Sequence, residues 1–149
     1  MDEIPDRLAS RPTWLIGQLT LHGRRLLAEG WAEAGVKGYH YRLLATLEEF
    51  GPASQAQLGR RSRMDRSDVV AAVNALEELG FVHKTPDPDH GRRNRVMLTA
   101  AGAAQLRRLD PVVDRVQDEL LGPLSAAERA TLVRLLGQAL RHHEPGEGE

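Results

Sequence analysis

The 149-residue chain has no cysteine, which excludes disulfides, thiolate metal ligands and cysteine-based redox sensing together. No apolar run approaches the ~20 residues that cross a bilayer, so no membrane-spanning helix is expected. The amino terminus, MDEIPDRLASRP, is acidic and lacks a basic stretch followed by an apolar core. No secretory signal is read there, and the expected location is the cytoplasm. The six histidines, at 22, 40, 83, 90, 142 and 143, form no H-x-x-x-H pattern, and His142 and His143 are expected on different sides of a helix end. Neither a metal nor another cofactor is expected. Catalysis lacks its parts as well: there is no Gly-rich phosphate loop and no set of nucleophile, base and orienter, so the chain does not read as an enzyme.

Net charge is nearly absent too, at −1 from 20 basic and 21 acidic side chains. Its distribution is uneven. Residues 1–52 carry 6 basic and 7 acidic side chains, residues 53–100 carry 8 and 6, and residues 101–149 carry 6 and 8. The middle alone is net basic, in two clusters: Arg60, Arg61, Arg63 and Arg66, then Arg92, Arg93 and Arg95.

With 41% hydrophobic and 28% charged residues, the composition is that of a globular domain with a core of its own or one completed by dimerisation. Apolar residues recur at helical spacing from Pro12, with Gly30 and Gly35 punctuating the end, and again from Gly38 to Phe50, where Gly51 and Pro52 stop the pattern. Ser54 is placed to cap a short helix, SQAQLGRRS. Asp65 is placed to cap a longer one, in which Val69, Val73, Leu76 and Leu79 make an apolar stripe and Gly80 supplies a left-handed stop. Two helices across so short a turn describe a helix-turn-helix. FVHKT and RVMLT read as two strands joined by the loop PDPDHGRRN, which completes a winged helix.

Thr99 is placed to cap a long helix with Leu106, Leu109, Val113, Val116 and Leu120 on one face, which Pro111 should kink or split near Asp110. Ser125 and Glu128 fit a capping box before Leu132, Leu135, Leu136 and Leu140. The expected class is therefore mainly α (α+β): a winged helix-turn-helix with a two-stranded wing, flanked by long terminal helices. One domain spans 1–149, with dimerisation helices at 12–34 and 100–143, a winged-helix region at 36–99 and a disordered tail at 144–149. The terminal helices carry more leucine than one small winged helix can cover. A homodimer would bury it and set two basic modules side by side, facing major grooves about 34–36 Å apart.

Three segments resemble the MarR (multiple-antibiotic-resistance regulator) family of winged-helix transcription factors, over roughly Leu15 to Leu140. SQAQLGRRSRMDRSDVVAAVNALEELGFV is similar to the family's helix-turn-helix with its closing L-E-x-x-G-[FL]-[VI]. DPDHGRRNRVMLTAAG resembles its wing, D-P-x-D-x-R followed by L-T-x-x-G, and LSAAERATLVRLL its closing dimerisation helix. His90 stands where the wing pattern has its second aspartate, and Asp68 and Ala71 where many members have Thr and Arg, so no operator sequence carries over.

The resemblance implies a homodimeric DNA-binding regulator acting on an inverted-repeat operator, as a repressor released by a small aromatic or anionic ligand. The alternative is a winged-helix module that contacts protein rather than specific DNA. For DNA, Arg66 and Ser67 stand in the first turn of the recognition helix, Asp68 caps or reads cytosine, and Asn74 is a possible adenine reader. Arg63 and Gln55, with Gln57, are placed for the DNA backbone. Arg92 is expected in a minor groove, with Arg93 and Arg95 on phosphates. For a ligand, the family's cleft between dimerisation helices and winged helix implies Trp14, Gln18, His22 and Arg25 on the first helix and Tyr39, His40 and Arg42 on the second. Cations there would pair with a carboxylate and rings would stack.

Overall fold

In the computed structural model, residues 3–144 are described, without the side chains of His90, Arg92 and Arg93. A one-turn helix α1 (Asp6–Ala9) precedes α2 (Pro12–Ala34), and α3 (Gly38–Phe50) follows. The sequence reading missed α1, which buries nothing. Proline at the first position of α2 gives up only an amide that has no intrahelical partner. The helix passes through Gly30 and stops at Gly35, whose φ of 71° a side chain would resist.

Strand β1 (Ala53–Ser54) leads into α4 (Gln55–Ser62), then α5 (Arg66–Glu78), β2 (Val82–Asp87), β3 (His90–Leu98), α6 (Ala100–Leu120) and α7 (Ala126–Arg141). The sheet is antiparallel in the order β1-β3-β2. β2 and β3 form the two-stranded wing expected from the sequence, and β1 adds a third strand that the sequence did not announce: Ala53 pairs with Val96 and Ser54 with Arg95. The residues expected to form an open loop are drawn into the hairpin, since β2 reaches Asp87 and β3 begins at His90. The register shifts between Pro86 and Asp87, where proline offers no amide to the ladder.

The core lies inside the winged helix. Leu43, Leu44 and Leu47 of α3 meet Leu58 of α4, Val69, Val73 and Leu76 of α5, and Val82 and Val96 of the sheet. Outside that unit, α2 packs on α6 through Leu26, Leu109, Val112 and Val116. Val112, rather than Val113, is the buried valine at that turn. Gly30 lets the two helices close, since a Cβ there would lie 2.8 Å from Val112 Cγ1.

Pro111 does not split α6, which is continuous through it. Its ring is exposed, so the carbonyl it leaves unpaired on the preceding turn is open to water. At the start of α6 the Thr99 hydroxyl accepts from the Gly102 amide at 3.0 Å and donates to the Gly80 carbonyl at 2.7 Å. That ties the end of α5 to the start of α6. Just past the end of α7, His142 and His143 meet edge to face, 5.1 Å apart, rather than on different sides as expected. Of the tail expected at 144–149, Glu144 alone is among the described residues. Among them no helix is long and apolar enough to cross a membrane.

Candidate nucleic-acid interface and adjoining cleft

The helix-turn-helix is α4, the turn Arg63-Met64-Asp65, and α5. Ser54 and Gln57 close a capping box at the start of α4: the Ser54 hydroxyl accepts from the Gln57 amide at 3.1 Å, and the Gln57 side chain accepts from the Ser54 amide at 3.0 Å. Gln57 is thereby committed to the cap. At the other end of α4, Arg63 adopts φ 53°, and the Met64 amide donates back to the Gly59 carbonyl at 3.0 Å. This reverses the chain sharply enough for α5 to start three residues on. Asp65 stands at the N-cap of α5 but makes no side-chain capping bond, contrary to the expectation for it. The amides of that first turn stay without intrahelical partners.

Arg66, Ser67 and Asp68 stand exposed in that turn, above the buried Val69. Arg60 and Arg61 lie in the last turn of α4, with the Arg61 guanidinium 4.9 Å from the centre of the Phe50 ring. From below, Arg42 of α3 donates to the Ser62 carbonyl at 3.5 Å. Arg63 donates to Glu144 Oε1 at 2.7 Å. These arginines with Ser67 form one exposed edge, and Gln55 is half-buried beside the cap.

Two of the candidates lie elsewhere. Asn74 is exposed further along α5, and its side-chain carbonyl already accepts from Lys84 Nζ at 2.8 Å. Lys84 is itself held by Glu77, whose carboxylate accepts from the Lys84 amide at 2.8 Å and is kept below the usual carboxylate range mainly by that bond. Arg95 is half-buried beside Ser54 and Thr85, near the root of the hairpin rather than at its tip. The backbone of Arg92 and Arg93 belongs to the tip-proximal part of β3, and their side chains lie outside the described residues.

Beside this edge, a cleft of about 690 Å³ opens between the end of α2, the start of α3 and Ala75 of α5. Trp31, Lys37, Tyr39 and His40 line it. His40 is 5% exposed, and neither ring nitrogen has a hydrogen-bond partner among the described residues. Burial, helped by the Lys37 charge, pushes its pKa down and keeps the ring neutral. Tyr39 meets it edge-on at 4.9 Å. On the far side of Trp31, Tyr41 lies 5.5 Å away and donates its hydroxyl to Asp110 Oδ1 at 2.9 Å. That bond and burial raise the Tyr41 phenol to about 12, burial being the larger cause.

The four first-helix candidates do not line this cleft. Trp14 is half-buried and Gln18, His22 and Arg25 are exposed, Arg25 pairing with Glu29 at 3.0 Å. At about 1.5 Å of rise per residue they stand roughly 9–26 Å along α2 from Trp31. Trp31 and Lys37 were missed in the sequence. The available signal was Gly38, where a Cβ would lie 3.1 Å from the Trp31 indole, so that glycine marks a close approach.

A model of the MarR family matches residues 34–93. The HTH-type transcriptional repressor NicR of Pseudomonas putida is 32% identical over 101 residues, 68% of this chain and 64% of its own length. The chain thus spans less than two thirds of the length of that relative. Among solved structures, a MarR mutant from Escherichia coli complexed with operator DNA is 26% identical, with a TM-score of 0.72 over 85% of this chain and 91% of that one. The PcaV transcriptional regulator from Streptomyces coelicolor, in complex with its natural ligand, is 28% identical, with a TM-score of 0.75 over 97% of this chain and all of that one.

Proposed function

As the chain belongs to the MarR family of transcriptional regulators, we propose that it works in the cytoplasm as a homodimer that represses transcription from an inverted-repeat operator. The observation that carries this reading is the exposed edge of Arg60, Arg61, Arg63, Arg66 and Ser67 on a helix-turn-helix whose opposite side is fully buried. In a chain of net charge −1, such local positive charge has its natural partner in phosphate. Arg66 and Ser67 approach base edges at the start of α5, while Arg63, Gln55 and Arg93 meet the backbone and Arg92 enters the minor groove; Arg95, at the root of the hairpin, is left out of the contact. Asp68 favours the positive end of the α5 dipole and stays off the phosphates. Asn74 is left as a tie to Lys84.

The dimer would come from α7, where no residue is buried and Val133, Leu135, Leu136 and Leu140 are exposed, together with Ile16, Leu19 and Leu21 of α2. The ligand would enter the Trp31–His40 cleft. Lys37 offers a cation, Trp31 and Tyr39 offer apolar walls, and the neutral His40 ring lies behind them with its nitrogens buried, a set that suits a small aromatic anion. NicR's description as a repressor and PcaV's ligand complex support the two halves of this reading.

Fluorescence anisotropy of the protein on duplex from upstream of its own gene and on a scrambled duplex, at low and physiological salt, tests it. A preference for the upstream duplex at dimer stoichiometry is expected. Arg66→Ala should lose about 1–3 kcal/mol on the preferred duplex and much less on the scrambled one. Equal loss on both would remove Arg66 from base reading. Binding that vanishes at physiological salt would favour a winged helix that faces an acidic protein.

A further inference from the structure

Arg63 is unusual in two independent respects. Among the described residues it is the one non-glycine with a left-handed backbone, φ 53°, at a position where glycine relieves strain and arginine does not. A strained position retained at a turn calls for a role for its side chain. Its guanidinium, 59% exposed, holds the Glu144 carboxylate at 2.7 Å, although the two residues are 81 apart in sequence.

Glu144 follows the end of α7. The other end of that helix is held by Arg129, which donates to Asp118 Oδ1 at 2.6 Å and to the Leu124 carbonyl at 3.2 Å. Between these two anchors no side chain of α7 is buried. The Arg63–Glu144 pair therefore joins the end of the terminal helix to the turn of the helix-turn-helix.

We propose that Glu144 is an intramolecular stand-in for a DNA phosphate, occupying the Arg63 guanidinium in the free protein so that duplex must displace it. The proposal rests on the DNA-binding reading above. A carboxylate presents to a guanidinium the same pair of oxygens as a phosphate. An ion pair this exposed is weak, and a contact that must be exchanged has to be weak. The displaced carboxylate attracts cations from solution, so each protomer releases fewer ions on binding than its cationic contacts alone would give, flattening the salt dependence by less than the roughly 0.9 that one phosphate contact carries.

The test uses the full chain, Glu144→Gln, Arg63→Ala and the double variant, titrated on a mixed-sequence duplex at two salt concentrations. Both positions are exposed, so the fold is expected to tolerate either change, and thermal melts check this. Glu144→Gln should tighten binding about two- to five-fold at low salt and steepen the salt slope, and it should do neither in the Arg63→Ala chain. Unchanged affinity overturns the proposal. Equal tightening with and without Arg63 also overturns it, since that would be a general effect of lost negative charge. If no chain binds duplex, Arg66→Ala is silent as well and the DNA-binding reading itself falls. Binding by Glu144→Gln when the unaltered chain does not bind would be the strongest support.

Discussion

His40 shows how one buried residue gives stability a pH dependence. Its ring is buried with both nitrogens unpaired among the described residues, and burial holds its pKa below the ordinary 6.5. Above that pH the ring is neutral in both folded and unfolded chains, so it adds no pH dependence. As pH falls below about 6.5 the unfolded chain takes up a proton that the folded chain refuses, and stability declines until the lowered folded value is passed. Urea denaturation should therefore show a loss of stability on mild acidification. His40→Leu should remove the His40 share of that slope and leave neutral-pH stability no lower, because it replaces a buried unsatisfied polar ring with an apolar side chain. An unchanged slope in the variant would show that His40 does not carry the pH dependence. At this scale the sequence is informative where position follows from local structure. Arg66, Ser67 and Asp68 are legible because a helix start fixes what stands in its first turn. Trp14, Gln18, His22 and Arg25 had the right chemistry, but which stretch of α2 meets the cleft depends on how α2 lies against α3.

At the scale of elements, capping separates two helices that look alike in sequence. Ser54 makes its cap and Asp65 does not, so Ser54→Ala should cost about 1 kcal/mol while Asp65→Ala changes the denaturation midpoint little. A loss for Asp65→Ala as large as for Ser54→Ala would mean that the aspartate supports α5 through more than a hydrogen bond. Helical periodicity with glycine stops located α3 from Gly38 to Phe50 in both sequence and structure. The sheet was less legible for a physical reason. β1 has only two residues, and its partners Val96 and Arg95 lie more than forty residues away, so no local pattern announces it. Pro86 and Gly91 are ordinary loop signals, yet the ladder runs past them because the hairpin absorbs the irregularity in a register shift. Pro111 misled in the same way, since an exposed proline removes one hydrogen bond without forcing a helix to end.

At the scale of the whole molecule, the distribution of apolar surface is the strongest argument for a second copy. The winged helix closes its own core, with Leu43, Leu44, Leu58 and Leu76 at 0% exposure, whereas Leu135, Leu136 and Leu140 of α7 are about half exposed. A chain that buries one unit so completely and leaves the other open is unevenly finished, and pairing the open faces, as proposed above, would complete it. Leu136→Glu with Leu140→Glu should therefore give a monomer by sedimentation. The winged-helix core should survive, because α7 contributes nothing to it. The unaltered chain should melt at a temperature that rises with protein concentration, and the variant should not. On an inverted-repeat duplex the variant should bind at least about a hundredfold more weakly, since each half-site is then met without the effective concentration that linkage provides. On a single half-site the two proteins should differ little. A variant that stays dimeric, or that binds the inverted repeat as tightly as the unaltered chain, would show that α7 does not hold the two copies together.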